Sequence, residues 1–197
     1  MKRGEPPYQL NLGCGRNVQQ GWINLDSAAL PGVDIVCDLE NLRQAPIDLP
    51  GETVERFLLS HVIEHIRDAL GLMQELWRLA TPGAIAVIHV PHGGSDDAWE
   101  DPTHVRAYFP GSFGYFSQPF YWRADYGYRG DWEIDRLKLL VDGARCAGLG
   151  FQEIYAKTQR ERNLVREMIC EMRALKPIRE PRRELQCPLP LEIVAVD

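Results

Sequence analysis

The sequence predicts one α/β domain built around a doubly wound, mostly parallel β-sheet. Its 197 residues are enough to bury one substantial core, and short apolar runs alternate along the chain with helical segments or turns. One run, IAVIHVP at residues 85–91, is rich in β-branched residues, as is typical of a strand with both faces covered. The composition, 45% apolar and 25% charged, is that of an ordinary globular domain.

The first half of the chain is predicted to contain most of the parallel strands. Five apolar runs indicate strands, at residues 8–12, 22–25, 33–37, 56–60 and 85–91. Between the last two, apolar residues recur at helical spacing and predict a helix over residues 68–80: Leu70, Met73, Leu76 and Ala80. The sequence Thr81-Pro82-Gly83 then favours a turn into the next strand.

The second half is predicted to continue the alternation. Leu137, Leu140, Val141 and Ala144 favour a helix over residues 133–147, which Gly148 would end. Residues 151–156 are predicted as a strand, and residues 160–190 as an insertion whose first part, through residue 175, is a charged amphipathic helix. Residues 191–196 complete the sheet, with an antiparallel C-terminal strand.

An aromatic-rich segment interrupts this pattern at residues 93–132. Twelve of the chain's 18 aromatic residues lie between Trp99 and Trp132. Such a segment is either a lid that excludes water and offers flat surfaces to a substrate, or a small satellite core. We predict a lid or substrate segment within a single domain spanning residues 1–197.

Three points at predicted strand ends indicate a ligand site. Gly13-Cys14-Gly15 directly follows the first strand, and glycines there let the backbone turn sharply close to a ligand. Asp26 ends the second strand, where a carboxylate can accept hydrogen bonds from both hydroxyls of a ribose. Asp38 follows the third strand, within reach of an adenine amino group. The carboxyl edge of an open α/β sheet is where such folds bind ligands.

These residues resemble a known family. LNLGCG at residues 10–15 and GWINLD at residues 21–26 are similar to the opening of the class I S-adenosylmethionine (SAM)-dependent methyltransferases, which have a Rossmann-like fold. Later blocks follow in the family's order: VDIVCDL at 33–39, LSHVIEH at 59–65, and ELWRL with TPG at 75–83. The similarity covers about residues 8–115.

The resemblance implies SAM as cofactor and a place for each contact. Gly13 and Gly15 would lie against its methionine part, Asp26 would hold the ribose, and Asp38 with Leu39 would frame the adenine. The predicted cofactor contacts also include Asn11, Cys14, Ser60 and His61, with Ser60 and His61 facing the methyl-transfer cleft. Asn11 stands where the family often has an acid, and the short spacing to the second strand implies a short or missing first helix.

All five histidines lie between residues 61 and 104. A hydroxyl acceptor benefits from a base with a near-neutral pKa, which histidine supplies most readily. Four histidines are therefore candidate catalytic residues: His61, His65, His92 and His104. We interpret His89, inside the fifth strand, as a hydrogen-bonded interior residue.

The expected acceptor is a small molecule or a saccharide. Asp101, Arg106 and Tyr108 in the aromatic segment are candidate acceptor contacts, although Asp101 and Arg106 could instead form an ion pair that anchors the segment. The net charge of −6 argues against a nucleic-acid partner, and the basic stretch at residues 157–183 is interpreted as a solvated helix face. The acceptor atom (oxygen, nitrogen or carbon) and the oligomeric state stay open.

The spacing of the cysteines and the length of the apolar runs predict where in the cell the protein is found. Five cysteines without a CxxC pair favour free thiols in the cytoplasm. No apolar run is long enough to cross a bilayer, so no membrane insertion is expected.

Three other functions fit parts of the sequence. HVIEH at residues 61–65 matches HxxEH, a zinc-hydrolase pattern with two metal-binding histidines, although no metal is predicted here. A nicotinamide-dependent oxidoreductase would need a third glycine where Val18 stands. A catalytically inactive, SAM-binding scaffold or partner subunit is the main alternative to an enzyme.

Overall fold

The computed structural model describes residues 5–197, which form an eight-stranded β-sheet with short helices. The strands are β1 (Tyr8–Leu12), β2 (Ile23–Asp26), β3 (Ile35–Val36), β4 (Val54–Ser60), β5 (Ala80–Pro91), β6 (Trp132–Asp142), β7 (Val165–Ala174) and β8 (Leu191–Val196). The helices are α1 (Ala69–Leu79), α2 (Asp97–Glu100), α3 (Gly143–Cys146) and α4 (Phe151–Thr158). Among these residues, no helix combines the length and apolar character that a membrane span requires.

The sheet has the order β3-β2-β1-β4-β5-β7-β6-β8. Strands β1 to β5 run parallel, β7 is antiparallel to both of its neighbours, and β8 is parallel to β6. The doubly wound, mostly parallel α/β sheet is therefore confirmed. The antiparallel strand is β7 and not the C-terminal strand, because residues 175–190 pass β6 at the end of the sheet where β7 stops, and β8 then pairs with β6 in parallel.

The five predicted N-terminal strands and the helix at residues 68–80 are present. The Asp68 side chain accepts a hydrogen bond from the Gly71 amide at 2.8 Å and caps α1. The apolar face of α1 is fully buried, and each such side chain contributes about 1.5–3 kcal/mol: Leu72, Met73, Leu76 and Leu79. The predicted turn at residues 81–83 is instead part of β5, which begins at Ala80.

The predicted helix at residues 133–147 is wrong. These residues form β6, and only Gly143–Cys146 are helical. Leu137, Leu139 and Val141 are fully buried in the core and alternate along the strand, whereas Leu140 is only half-buried. A run of adjacent apolar residues is compatible with both the helical and the strand period. These residues form a strand because they pair with β7 and β8.

The predicted strand at residues 151–156 and the predicted helix at residues 160–175 are also wrong, because the first segment is a helix and the second contains a strand. Residues 151–158 are helix α4, which Glu153 caps by accepting a hydrogen bond from the Gly150 amide at 2.9 Å. Residues 165–174 are strand β7, in which Met168, Cys170 and Met172 alternate inward. The charged residues between them form ion pairs across the sheet, such as Arg136 with Glu171. The basic stretch is therefore no solvated helix face.

Residues 93–131 fold into α2, two 3₁₀ turns and loops packed on the sheet. Five of the eleven Phe, Trp and Tyr residues in this segment belong to the main hydrophobic core: Tyr108, Phe113, Phe116, Tyr121 and Tyr128. Others are exposed: Trp99, Phe109, Tyr115, Trp122 and Tyr126. The buried rings extend the main core and do not form a separate one, while a closing lid stays a prediction.

Residues 175–190 contain one 3₁₀ turn and no α-helix, so the predicted helical insertion is absent. Arg179 holds this segment against the body of the protein. Its guanidinium and backbone amide donate to Asp131, which is fully buried, at 2.9–3.0 Å.

Candidate functional site

The strand order reverses between β1 and β4, and the site lies at the carboxyl ends of these strands. Loops that diverge at such a point leave a crevice, where open α/β sheets bind ligands. Residues 13–22 connect β1 to β2 without a helix, as the short spacing predicts. The crevice is consequently framed by loops.

The glycine turn has the backbone that its sequence predicts. Gly13 and Gly15 have φ values of 58° and 51°, in the left-handed region that favours glycine. A Cβ on Gly13 would lie 2.6 Å from a Val62 methyl group, whereas a Cβ on Gly15 would meet no atom within 4 Å. Gly13 thus permits close packing of the loop, and Gly15 leaves open space beside the crevice.

Asp26 is fixed in place by the glycine turn. Its Oδ2 accepts from the Gly15 amide at 2.8 Å, and its Oδ1 accepts from the Ala28 amide at 2.9 Å. Each carboxylate oxygen can accept a second hydrogen bond. The side chain is therefore oriented in advance and retains acceptor capacity for a diol.

The other predicted cofactor residues divide into buried and exposed groups. Asn11 is buried and donates to the Asn17 carbonyl at 2.9 Å and to Asn24 Oδ1 at 3.0 Å, so it braces the loop. Cys14 is buried, and burial raises the pKa of its thiol. Leu39 belongs to the core. Asp38 is exposed and accepts from the Glu40 amide at 3.0 Å.

Two cavities open at this edge. The first, of about 520 Å³, is lined by the glycine turn and by the ends of β4 and β5: Asn11, Gly13, Cys14, Arg16, Asn17, Val18, Gln19, Leu58, Ser60 and His89. The second, of about 460 Å³, is lined by His61, Pro91, Asp97, Glu100, Asp101, His104, Arg166 and Glu167. Both volumes lie in the range of small-molecule sites.

Glu167 on β7 connects the two cavities. Its Oε1 lies 3.1 Å from His89 Nδ1, on the wall of the first cavity, and 3.3 Å from His61 Nε2, on the wall of the second. His61 follows β4 directly and has a φ of 55°, which is rare for a residue with a side chain and is often found at functional sites. The three residues therefore lie between the two cavities.

No family model matches the chain, and no curated protein matches it. Solved structures do match. The chain is similar to a SAM-dependent methyltransferase from Archaeoglobus fulgidus, with 15% identity and a TM-score of 0.57 over 84% of this chain and 85% of that one. The fold is that of the class I SAM-dependent methyltransferases.

Two further structures support the methyltransferase fold. A SAM-dependent methyltransferase from Aquifex aeolicus has 15% identity and a TM-score of 0.51 over 88% of this chain and 86% of that one. The cyclase SpnF has 14% identity and a TM-score of 0.50 over 89% and 76%. Because a cyclase has a similar fold, the fold by itself does not determine which reaction a protein catalyses.

Two carboxylates, those of Glu167 and Glu64, lie against the His61 imidazole, at 3.3 and 3.4 Å. The contact with Glu167, and then that with Glu64, raises the pKa of His61 to about 10. The same contact, together with His89, lowers the pKa of Glu167 to about 2. A protonated imidazole donates hydrogen bonds and does not accept a proton, so the arrangement suits orientation better than general-base catalysis.

The remaining candidate histidines lie in different surroundings. His92 is buried, burial lowers its pKa, and its Nδ1 accepts from the Gly94 amide at 3.1 Å. His65 and His104 are neighbours, with ring centroids 4.7 Å apart. His104 also lines the second cavity, whereas His92 stabilises a turn.

The predicted acceptor contacts are not all available. Tyr108 is 1% exposed and donates to the Ile63 carbonyl at 3.3 Å, so it offers no surface to a substrate. Arg106 is exposed. Asp101 lines the second cavity, and its Oδ2 lies 3.9 Å from His104 Nε2, so its ring neighbour is His104 and not Arg106.

The HxxEH arrangement of a zinc hydrolase is not formed. Only Ile63–His65 are helical, as a single 3₁₀ turn, so His61 and His65 do not share a helix face. His61 points to Glu167, and the described residues that could share an ion are Glu64, His65 and His104.

Sequence reasoning missed Glu64, His89 and Glu167. His89 lines the first cavity and contacts Glu167, so it is no plain interior residue. A strand assignment for residues 165–174 would have placed Glu167 beside Pro91, at the carboxyl end of β5. Glu64 has no signal beyond the HxxEH pattern itself.

Proposed function

We propose that this protein is a SAM-dependent methyltransferase that binds SAM in the first cavity and a small acceptor in the second. The observation that carries the proposal is Asp26, which the Gly15 amide orients at 2.8 Å in the glycine turn, while Gly13 and Cys14 of the same turn line a cavity of about 520 Å³. A fixed carboxylate next to open space above a glycine turn suits the ribose and methionine parts of this cofactor.

The residues between the cavities would align the two ligands. SAM, when bound, supplies a methyl group on a sulfonium, and transfer is an in-line displacement in which positive charge disappears. Alignment in a site that excludes water accounts for much of the rate in such a reaction. Ser60, His89 and the His61–Glu167 pair stand at the junction, and the protonated His61 can donate a hydrogen bond to an acceptor oxygen.

The second cavity favours a small, polar acceptor, with a saccharide as the leading class. Its acidic lining (Asp97, Glu100, Asp101 and Glu167) suits hydroxyl and amine donors and disfavours a phosphate backbone. Trp99 lies on α2 between two of these carboxylates and is 64% exposed. An exposed ring beside carboxylates offers a flat apolar surface for a sugar. We place this activity in the cytoplasm because all five cysteines are free thiols.

Calorimetric titration with S-adenosylhomocysteine tests the cofactor site. Asp26→Asn keeps the shape of the side chain and removes its charge, so we expect affinity to fall about 100-fold, or about 2.7 kcal/mol, as two charge-assisted hydrogen bonds weaken. Glu55→Gln is the matched control, because Glu55 lies near the start of β4, at the opposite edge of the sheet. Equal affinity in the wild type and in Asp26→Asn would overturn the proposed cofactor site.

The scaffold alternative predicts the same binding without turnover. Methyl transfer from labelled SAM to a panel of sugars and small phenols separates the two functions. Transfer that Glu167→Gln reduces, while S-adenosylhomocysteine still binds, would support an enzyme. Tight binding with no transfer to any acceptor in the panel would favour the scaffold.

A further inference from the structure

Glu64 is a buried carboxylate without a hydrogen-bond partner. Its side chain is 2% exposed, and neither of its oxygens accepts a hydrogen bond from a described residue. The nearest cation is His61, whose Nδ1 lies 3.4 Å from Oε1, too long for a strong hydrogen bond. A buried charge is costly unless it is paired or binds a metal. Glu64 therefore has one long ion pair with His61 and no hydrogen bond, which leaves its oxygens able to bind a further cation.

Two histidines face this carboxylate. One ligand atom from each of Glu64, His65 and His104 lies within 4.8 Å of the others. Zinc ligands at bond lengths near 2.1 Å stand about 3.4 Å apart, so side-chain movements of about 1 Å would close the cluster on an ion. Two imidazoles and one carboxylate are ligands that zinc accepts.

Hydrogen bonds set both imidazoles in the tautomer that a metal needs. His104 Nδ1 lies 3.3 Å from the Ala98 carbonyl, which only accepts, so Nδ1 holds the proton. The Thr103 hydroxyl donates to Asp101 at 2.6 Å and so accepts from His65 Nδ1 at 3.0 Å. Nε2 of both rings is left with its lone pair. Metal-binding histidines characteristically donate their other N–H in this way.

We propose that Glu64, His65 and His104 bind one zinc ion, with a fourth coordination position open to the second cavity. His104 lines that cavity, so a water molecule or a polar group of a ligand could complete the coordination. Three protein ligands with one open position is the arrangement of functional zinc sites. The ion would also join the end of β4 to residues 103–108, where the Val105 amide already donates to the Glu64 carbonyl at 2.9 Å.

Zinc affinity measured by competition with a chromophoric chelator tests the site on the full chain. We expect one equivalent of zinc, and a loss of about 100-fold or more in Glu64→Gln and His104→Gln, because each removes a ligand. Glu100→Gln is the matched control, since Glu100 lines the same cavity outside the cluster. Wild-type affinity in Glu64→Gln, or the same loss in Glu100→Gln, would overturn the proposal.

Thr103 tests the positioning of His65. Thr103→Val removes the acceptor for Nδ1, and we expect about a 10-fold to 100-fold loss of zinc affinity, which Thr103→Ser restores. The cobalt-substituted wild type gives a readout that needs no variant to fold. Its NMR spectrum should contain two paramagnetically shifted, exchangeable imidazole N–H signals, and fewer than two would overturn the ligand set. SAM binding involves other residues, so it can succeed or fail independently.

Discussion

Two buried carboxylates in this protein have opposite surroundings. Asp131 is fully buried and accepts from the Gln118 amide, the Arg179 amide and two nitrogens of the Arg179 guanidinium. Glu64 is 1% exposed, and its oxygens accept no hydrogen bond within the described residues. Both had to lose water during folding. Only Asp131 has these lost hydrogen bonds to water replaced by hydrogen bonds from the protein.

The difference separates a structural use from a functional use of buried charge. The Asp131 cluster connects residues 175–190 to the core, and Arg179 extends it to Glu133 at 2.7 Å and Ser117 at 3.0 Å. Such a cluster gains stability only when every member is paired. Glu64 instead lies between His61 and the His65–His104 pair, beside a cavity. A buried carboxylate that folding leaves without a hydrogen bond is available to a ligand.

The largest effect is expected for Asp131→Ala. Removing one member of a buried ion pair leaves Arg179 without its principal partner, and such changes cost about 3–5 kcal/mol. Urea unfolding followed by circular dichroism measures the loss in free energy of unfolding. A loss below about 1 kcal/mol would mean that water replaces Asp131 readily, contrary to its full burial.

A much smaller effect is expected for Glu64→Gln in protein stripped of metal. The amide keeps the shape of the side chain and removes a charge that accepts no hydrogen bond, so the free energy of unfolding should change by no more than about 1 kcal/mol. The same urea experiment in the presence of a chelator measures it. A loss as large as that of Asp131→Ala would show that Glu64 is a structural residue and would remove the contrast.

The smallest effect is expected for Asp125→Ala. Asp125 is exposed and pairs with Arg129 four residues later at 2.8 Å, and that pair lowers the pKa of Asp125 to about 2. Solvent screens exposed pairs, so the urea midpoint should stay within error of the wild type. A clear shift would mean that a short ion-pair distance alone predicts stability here, whatever the burial.

The sequence predicted the conformation of the glycine turn better than the second cavity. Gly13, Gly15 and Asp26 belong to short local motifs, in which a strand is followed within a few residues by the groups that it positions. The second cavity combines Glu167 from β7, His61 from β4 and residues of α2. Its prediction depended on a strand over residues 165–174 that apolar spacing alone assigned to a helix. Because that segment was assigned the helical period, the sequence did not place Glu167 near the other residues of the cavity.

The sequence by itself determined the α/β class, the five N-terminal strands, the glycine turn and the candidate role of Asp26. These follow from local patterns, because turns, caps and short buried strands depend on neighbouring residues. The tertiary structure alone decided that residues 132–142 are a strand, that Asn11 braces a loop, and that the Glu64 carboxylate accepts no hydrogen bond from a described residue. Each of these depends on contacts between residues far apart in the chain, and burial of a charge becomes costly or useful only when the surrounding groups are in place.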